Sequence, residues 1–400
     1  MPDTPRETWI TGIGIVSCLG EGPQTHWRGL NEPPPPPDIQ AFAPYVVHPL
    51  AAVEFDKQIP KKGDQRQMEA WQRIGTYAAG LALDSAGVKG NGELLARMDM
   101  IVAAGGGERD EAVDAAVLSG LPQAERPGAF LNERLMSDLR PTLFLAQLSN
   151  LLAGNISIVH GVIGSSRTFM GEEAAGVDAV RIALARIGAG QSDIVLVGGA
   201  HNGERKDLLL LYAFGGHALK DSFAPVWERA ARGGGLALGS LGAFLVLEAR
   251  EHAEARSAKP LARLSGVLSD RCNRQAGATT AALSRMWQTF AGQLSPGRVA
   301  VLSGATGAEP ATTSEREWLA TLPDIPVRAT GTYLGHGFEP QFAMNIALAT
   351  LALGHERLFP PGDSSGVERD MPGPVDQIVV TGVGHWRGEG MALVSRFRSS

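Results

Sequence analysis

The sequence predicts an α/β fold, because short apolar runs alternate with helical patterns along most of the chain. The runs at 9–16, 98–104 and 194–197 have the length and composition of buried strands. Between the first two, apolar residues recur at helical spacing over 68–81, and Gly87 follows where a helix can end. Such alternation is typical of a largely parallel sheet with helices on its faces.

The second half of the chain repeats the pattern with four elements: a strand at 299–302, a helix beginning near Thr313, a helix at about 342–353 and a closing strand at 377–381. The best seam between the halves is a charged helix over 248–256 that is followed by Lys259-Pro260. We therefore predict an N-terminal half at residues 1–256 and a C-terminal half at residues 257–400.

Composition excludes several classes of protein. The 400 residues include 36 Lys and Arg against 42 Asp and Glu, a formal charge of −6, and 44% are hydrophobic. That apolar content is sufficient for a large core and excludes an intrinsically disordered chain. The acidic balance and the lack of Lys/Arg runs predict no nucleic-acid partner.

Cysteine usage and hydropathy predict a cytoplasmic protein. Cys18 and Cys272 are too few for a disulfide framework or a structural zinc site, which points to a reducing compartment. The N-terminal residues include acids and show no signal-peptide pattern. The longest apolar segment, at about 342–353, is too short to span a bilayer.

The most informative local pattern lies at 168–187. Thr168-Phe169-Met170 is typical of a short strand, Gly171 of a turn, and Glu172-Glu173 of the first turn of a helix. A strand–turn–helix corner presents a side chain to unpaired helix N–H groups, where the helix dipole stabilises an anion. The alternative is that two glutamates simply favour a helix N-terminus.

Motifs for cofactors and metals are weak. Gly12-x-Gly14-x-x-Ser17 follows a strand but lacks the third glycine of a dinucleotide-binding turn. His336 and His385 stand isolated in separate segments, and neither belongs to a set of three or four ligands. The sequence therefore indicates no metal site and no dinucleotide site.

Five segments occur in the order and spacing of a known family. They are TGIGIVSCLGEG (11–22), QRQMEAWQRIGTYAAGLALDSAGV (65–88), the block at 151–200 that contains FMGEEAAG, GGLALGSLGAFLVLE (234–248) and TGVGHWRGEGMALV (381–394). Together they resemble the β-ketoacyl-acyl-carrier-protein synthases. The resemblance implies a thiolase-like α/β fold, with two pseudo-repeated βαβαβ halves in a five-layer αβαβα arrangement.

The resemblance also implies that the catalytic set is degenerate. Glu173 stands at the position of the family's nucleophilic cysteine. Gly304 replaces the first family histidine, and Gly331 replaces the lysine that precedes the second histidine by five residues. The second histidine is retained as His336.

Three further positions are carried over from the family as pocket or gate residues. Thr306 stays in register with a threonine of the first histidine motif. The glycine-rich C-terminal loop becomes Val383-Gly384-His385-Trp386-Arg387-Gly388-Glu389, which places His385 at the gating phenylalanine and makes Glu389 a pocket candidate. Cys18 and Cys272 match no nucleophile position, so we expect ordinary thiols.

The functional expectation is a synthase-like subunit of fatty-acid or polyketide assembly that does not condense acyl groups alone. An intact fold without the cysteine resembles the chain-length factors, which shape the acyl pocket of a Cys-bearing synthase in a heterodimer. Some features also resemble homologues that serve very-long-chain acyl groups of lipid A. Acyl groups would arrive on the phosphopantetheine of acyl carrier protein, and no other cofactor is expected.

Two alternatives remain open, and with them whether the chain is itself an enzyme. Glu173 and His336 could act as a carboxylate–histidine pair in acyl-thioester hydrolysis or decarboxylation, which requires the two groups within hydrogen-bond reach. The chain could instead bind acyl carrier protein or lipid without turnover.

Overall fold

The computed structural model describes residues 5–140, 143 and 147–397. The first four residues of the segment searched for a signal peptide lie outside this part. The strands are β1 (Thr8–Ser17), β2 (Gly20–Glu21), β3 (Val47–His48), β4 (Asp99–Ala103), β5 (Ser166–Phe169), β6 (Ile194–His201), β7 (Leu238–Gly239), β8 (Leu241–Ala249), β9 (Ala262–Asp270), β10 (Val299–Ser303), β11 (Val327–Ala329), β12 (Gln377–Val383) and β13 (Glu389–Arg396).

Helices connect most of these strands. They are α1 (Pro23–Leu30), α2 (Lys62–Gln67), α3 (Ala70–Ser85), α4 (Gly92–Arg97), α5 (Glu111–Gly120), α6 (Pro127–Ser137), α7 (Leu151–His160), α8 (Glu172–Gly188), α9 (Lys206–Phe214), α10 (Arg250–Ala255), α11 (Ala278–Ala291), α12 (Ala311–Leu319), α13 (Gly331–Leu334) and α14 (Gln341–Gly354). Short 3₁₀ turns lie at Phe55–Lys57, Leu121–Gln123 and Val226–Arg232. Among the described residues, no helix is both long enough and apolar enough to span a bilayer.

The strands form two arrays with the same internal order. The first array runs β5-β4-β6-β8-β1 and the second runs β11-β10-β12-β13-β9. In each array the first three strands are parallel and the next two pairings are antiparallel. The arrays join where Trp9 and Ile10 of β1 pair with Arg263 and Ala262 of β9. The same topology therefore occurs twice, although the division at residue 256 stays a prediction.

Helices cover both arrays and fill the space between them. α3 packs on the outer face of β1, β8 and β6, while α11 packs on the outer side of β13 and β9. α8 and α14 pack against each other and against strands of both arrays. The layers are thus helix, sheet, helix, sheet, helix. The largest apolar core includes residues of the central helices and of both arrays.

Gly12 and Gly14 lie within β1, where they serve packing rather than a turn. A Cβ at Gly14 would lie 2.0 Å from the carbonyl oxygen of Ala78 in α3, and one at Gly12 would lie 2.4 Å from that of Ala82. Side chains at these positions would push α3 off β1. Close helix–strand approach therefore explains the Gly-x-Gly pattern.

Two boundaries predicted from sequence are wrong. The charged helix expected at 248–256 is only α10, because β8 continues to Ala249 and buries Glu248 inside the sheet. Glu248 is held there by Arg256 and His252, so its charge is paired. The strand at 377–381 does not close the fold either, since β13 follows and pairs with β12 and β9.

The predicted corner at 168–187 is confirmed. β5 ends at Phe169 and α8 begins at Glu172, with Gly171 between them at φ 132°. That backbone conformation lies in the region that favours glycine. The corner places Glu173 at the second residue of α8, where backbone N–H groups are unpaired.

Candidate functional site

The site is organised around the buried carboxylate of Glu173, which is only 5% exposed. Its Oε1 lies 2.8 Å from Nε2 of His336 and 3.0 Å from Nδ1 of His385. The backbone N–H of His385 donates to the same oxygen at 3.2 Å. Three donors from two distant segments thus converge on one carboxylate oxygen, and the expectation that these histidines are isolated is wrong.

Each histidine is positioned by backbone pairing. His336 follows α13, where its N–H donates to the carbonyl of Ala237 and its carbonyl accepts from the N–H of Gly239. His385 lies in the turn between β12 and β13, which is closed by the N–H of Gly384 donating to the carbonyl of Gly388. Both ring positions are therefore set by the ends of strands in the sheets.

Charge in this cluster is distributed unequally. Burial opposes ionisation of Glu173, but the hydrogen bonds from His336 and His385 outweigh it and hold the pKa of Glu173 well below its usual range. Burial lowers the pKa of His336, despite its contact with Glu173. Burial also opposes the charge on His385, but Glu173 and Glu172 raise the pKa of His385 overall. The cluster favours an ionised carboxylate, a neutral His336 and a protonated His385.

An aromatic and acidic shell surrounds this cluster. The ring of Phe338 stacks on Tyr212 with centroids 4.6 Å apart and meets His336 edge-on at 4.6 Å. The hydroxyl of Tyr212 donates to Oε1 of Glu172 at 3.3 Å. Glu172 and Phe338 have φ values of 58° and 52°, a conformation that is costly for residues other than glycine. Backbone strain is therefore present at the residue before Glu173 and at the residue whose ring packs on His336.

Gly304 and Gly331, predicted from the resemblance to replace a histidine and a lysine, lie close to backbone carbonyl groups. A Cβ at Gly304 would lie 2.6 Å from the carbonyl oxygen of Thr381, and one at Gly331 would lie 3.0 Å from that of Ala305. A histidine at position 304 would therefore require the neighbouring chain to move.

A second buried carboxylate lies beside these glycines. Glu315 is fully buried, and its Oε1 accepts hydrogen bonds from Ser303 at 2.8 Å and from Thr381 at 2.5 Å. The N–H of Gly304 donates to the same Thr381 hydroxyl. Burial raises the pKa of Glu315, and these two hydroxyls only partly oppose the shift.

Thr306 and Glu389 make their contacts with residues outside the Glu173 cluster. The carbonyl of Thr306 accepts from the buried guanidinium of Arg229 at 2.7 Å, and its hydroxyl accepts from the N–H of Ala308. Glu389 pairs with Arg274, which also donates to the carbonyl of Gly384 at 2.6 Å. Glu389 thus anchors the loop that carries His385, and its role as a pocket residue stays a prediction.

Neither cysteine is poised to act as a nucleophile. Burial raises the pKa of Cys18 to about 12, and its thiol donates to the carbonyl of Tyr333. Burial also raises the pKa of Cys272. Since the thiolate is the reactive form, both sulfurs are protonated and weakly nucleophilic near neutral pH.

Two surface cavities lie away from this cluster. They have volumes of about 570 and 530 Å³ and are lined around Arg263, Glu7 and Gln293, and neither includes a residue predicted for the site.

Sequence reasoning missed several members of the cluster. Glu172, Tyr212 and Phe338 carried no motif signal beyond the adjacency of Glu172 to Glu173. Among the described residues, Glu172, Glu173 and His385 each offer an oxygen or nitrogen atom within 4.8 Å of the other two, as metal ligands do. His385 is 212 residues away from Glu173 in the sequence, so no local pattern could reveal this grouping.

Comparison with solved structures defines the class of fold. A β-ketoacyl synthase from Burkholderia phymatum STM815 matches with a TM-score of 0.79 and 18% identity, covering 98% of this chain and 100% of that one. The ishigamide ketosynthase/chain length factor matches with a TM-score of 0.77 and 20% identity over the same shares. The chain therefore has the thiolase-like ketosynthase fold in five layers, as the sequence predicted.

Sequence comparison defines the family. The model of the β-ketoacyl synthase N-terminal domain matches residues 6–253, more than half of the chain. This chain therefore belongs to the β-ketoacyl synthase family.

Related proteins match this sequence over about two thirds of the chain. The 3-oxoacyl-[acyl-carrier-protein] synthase 2 of Vibrio cholerae is 25% identical over 65% of this chain, and nodulation protein E of Rhizobium leguminosarum bv. trifolii is 26% identical over 66%. The matches span 62% and 63% of those proteins, less than two thirds of their length.

Proposed function

We propose that this chain is a non-condensing synthase subunit that pairs with a Cys-bearing homologue and shapes the acyl pocket of that partner. In this role it resembles a chain-length factor in fatty-acid or polyketide assembly. The observation that carries the proposal is the buried carboxylate of Glu173, held by His336 and His385 at the position of the family's nucleophile.

The chemistry of this centre argues against covalent acyl transfer. Condensation needs a thiolate that attacks an acyl thioester and later leaves. Glu173 is a weak nucleophile because three donors already bind its Oε1, and their hydrogen bonds stabilise the ionised ground state. The histidine that would stabilise an oxyanion is instead bound to this carboxylate. Each such donor is typically worth about 10²- to 10³-fold in rate.

A surface suited to a partner subunit lies next to the same corner. β5 ends the strand order, so one side of its backbone is unpaired within the described residues. Large apolar side chains beside it are exposed: Ile158 (71%), Ile163 (64%) and Met170 (64%). We call β5 with these three residues the β5 patch. Unpaired strand edges with apolar neighbours favour pairing with a second chain.

The proposed partners are an active synthase homologue at the β5 patch and the acyl carrier protein that serves it. Among the structural matches are a ketosynthase/chain length factor and a type II polyketide acyl-carrier protein in complex with its ketosynthase bound to the hexaketide, the latter at a TM-score of 0.73 and 16% identity. Very-long-chain acyl groups, such as those of lipid A, would be one product class for such a pair.

Coexpression tests this function directly. The chain is expressed with Cys-bearing synthase homologues encoded near it, and the copurified pair is assayed for product chain length with acyl carrier protein. We expect a heterodimer whose product length differs from that of the homologue alone. A chain that forms only homodimers and ignores every homologue would contradict the proposal.

Two variants test whether the β5 patch is the surface that binds the partner. Replacing Met170 with Lys adds a charge at the β5 patch and should abolish copurification, because a lysine in an apolar interface would be buried without a partner. Replacing the exposed Leu118 of α5 with Lys is the matched control and should leave copurification intact. Equal effects of the two substitutions on copurification would show that the β5 patch is not the interface.

One observation favours a second candidate, acyl-thioester hydrolysis or decarboxylation. Glu173 and His336 are 2.8 Å apart, which meets the distance requirement for a carboxylate–histidine pair. His336 has a lowered pKa and donates through Nε2, so Nδ1 would be its basic atom. Incubation of the isolated chain with acyl- or malonyl-carrier protein should then release acid or CO₂, and His336→Gln should stop it. Absence of turnover would eliminate this candidate.

A further inference from the structure

We infer that Glu172, Glu173 and His385 form a binding site for a divalent transition-metal ion of the Zn²⁺ class. This inference goes beyond the proposed subunit function and does not depend on it. The three residues come from the start of α8 and from the turn between β12 and β13, and one ligand atom from each lies within 4.8 Å of the other two. The set mixes one imidazole with two carboxylates.

An unpartnered atom provides independent support. Oε2 of Glu173 is buried and has no hydrogen-bond partner in the part of the chain that the structure describes, whereas Oε1 accepts from all three donors. A buried carboxylate oxygen without a partner is costly, and a bound cation would remove that cost. Glu173 can therefore ligate an ion through Oε2 while Oε1 keeps its bond to His336.

The outer contacts are those that metal ligands usually have. Nδ1 of His385 lies 3.0 Å from Oε1 of Glu173, and an ion bound between these two residues would replace the proton on Nδ1. Tyr212 donates to Oε1 of Glu172, and His336 donates to Oε1 of Glu173. Hydrogen bonds of this kind fix the orientation of ligating side chains.

The ligand types define the ion. Imidazole nitrogen and carboxylate oxygen suit Zn²⁺ and its neighbours, whereas Ca²⁺ and Mg²⁺ prefer oxygen alone. Three protein ligands leave a fourth position open, as in catalytic rather than structural zinc sites. The two carboxylates balance the charge of a divalent ion, which would take the place of the proton on His385.

The inference is tested by metal binding to the isolated, tag-free chain after dialysis against a chelator. We expect about one Zn²⁺ per chain by calorimetry and by elemental analysis. Bound Co²⁺ should show the intense visible bands of a four-coordinate site. Neither measurement requires a synthase partner or an acyl substrate, so failure here and failure of the proposed function are distinguishable.

Substitutions of the proposed ligands test which residues bind the ion. His385→Gln and, separately, Glu172→Gln should each weaken Zn²⁺ binding by about tenfold or more, since each removes a ligand. Glu172 is half-buried, so its variant serves if the His385 variant does not fold. His355→Gln removes an exposed histidine of the chain and should leave the affinity unchanged. Absence of Zn²⁺ binding, Co²⁺ bands of the aqueous ion, or equal binding by native chain and both ligand variants would overturn the inference.

Discussion

Glu173 and Glu315 are both buried carboxylates, and they differ in what surrounds them. Two imidazoles and a backbone N–H bind Glu173, whereas only two hydroxyls bind Glu315. The pKa of Glu173 falls below its ordinary value of 4.5, and the pKa of Glu315 rises above it. Burial acts on both, so a cationic donor decides which carboxylate keeps its charge.

This contrast follows from the residues that face each acid. No ion pair joins Glu315 within the described chain, and Gly304 beside it donates only its backbone N–H to the Thr381 hydroxyl. Glu173 instead accepts hydrogen bonds from His336 and His385. That Gly304 and Gly331 stand at the family's histidine and lysine positions stays a prediction from the resemblance.

The largest effect is expected from His336→Ala, which removes a principal donor of the Glu173 carboxylate. Because His336 is neutral, the variant loses a hydrogen bond to a charged group, typically about 1.5–3 kcal/mol, and leaves a cavity that adds to this cost. We expect a loss of that order in the free energy of unfolding, measured by denaturant titration at pH 7. Adding Glu173→Gln to this variant should recover part of the loss, because no buried charge remains. A loss below about 1 kcal/mol would show that Glu173 does not depend on His336.

The direct comparison is between Glu173→Gln and Glu315→Gln. The first variant replaces charge-assisted hydrogen bonds by neutral ones and should cost about 1.5–3 kcal/mol at pH 7. The second removes a carboxyl group that burial already drives towards neutrality, so its unfolding free energy should be unchanged or higher. Equal losses in the two proteins would mean that their surroundings are equivalent.

The same pair of variants should show opposite dependences on pH. A depressed pKa stabilises the fold above the unfolded value and loses this contribution as pH falls, so the deficit of Glu173→Gln should shrink below about pH 4.5. A raised pKa contributes fully below the unfolded value and loses its contribution as pH rises. Glu315→Gln should therefore gain on the native protein above about pH 4.5. Parallel slopes in a pH series of denaturation curves would refute the assignment.

The smallest effect is expected on condensation activity, in the variant Glu173→Cys. This single change returns a sulfur to the corner but leaves Gly304 and Gly331, so condensation should stay undetectable in an assay with malonyl- and acyl-carrier protein. A Cys-bearing homologue is the positive control. Robust condensation by the variant would show that His336 and His385 suffice for catalysis.

The sequence predicted those parts of the fold and site that local patterns encode. The corner before α8 could be identified because turn residues and helix spacing are properties of short segments. Motif register also predicted His336 as a retained family histidine, and that assignment stays a prediction. The boundary at Glu248 was wrong because an isolated stretch of charges does not reveal a buried ion pair. The contact of His385 with Glu173 depends on how a loop closes after the sheets assemble, and no spacing in the sequence carries that information.

The β5 patch has a consequence for the abundance of the protein in a cell. If the proposed heterodimer forms, a chain that leaves the ribosome without its partner presents an unpaired strand edge and exposed aliphatic side chains, which are the features that chaperones and proteases recognise. Unpaired copies would be degraded or would self-associate, and only copies bound to the partner subunit would accumulate. Abundance would then track the supply of the second subunit, so that stoichiometry is enforced by degradation rather than by transcription.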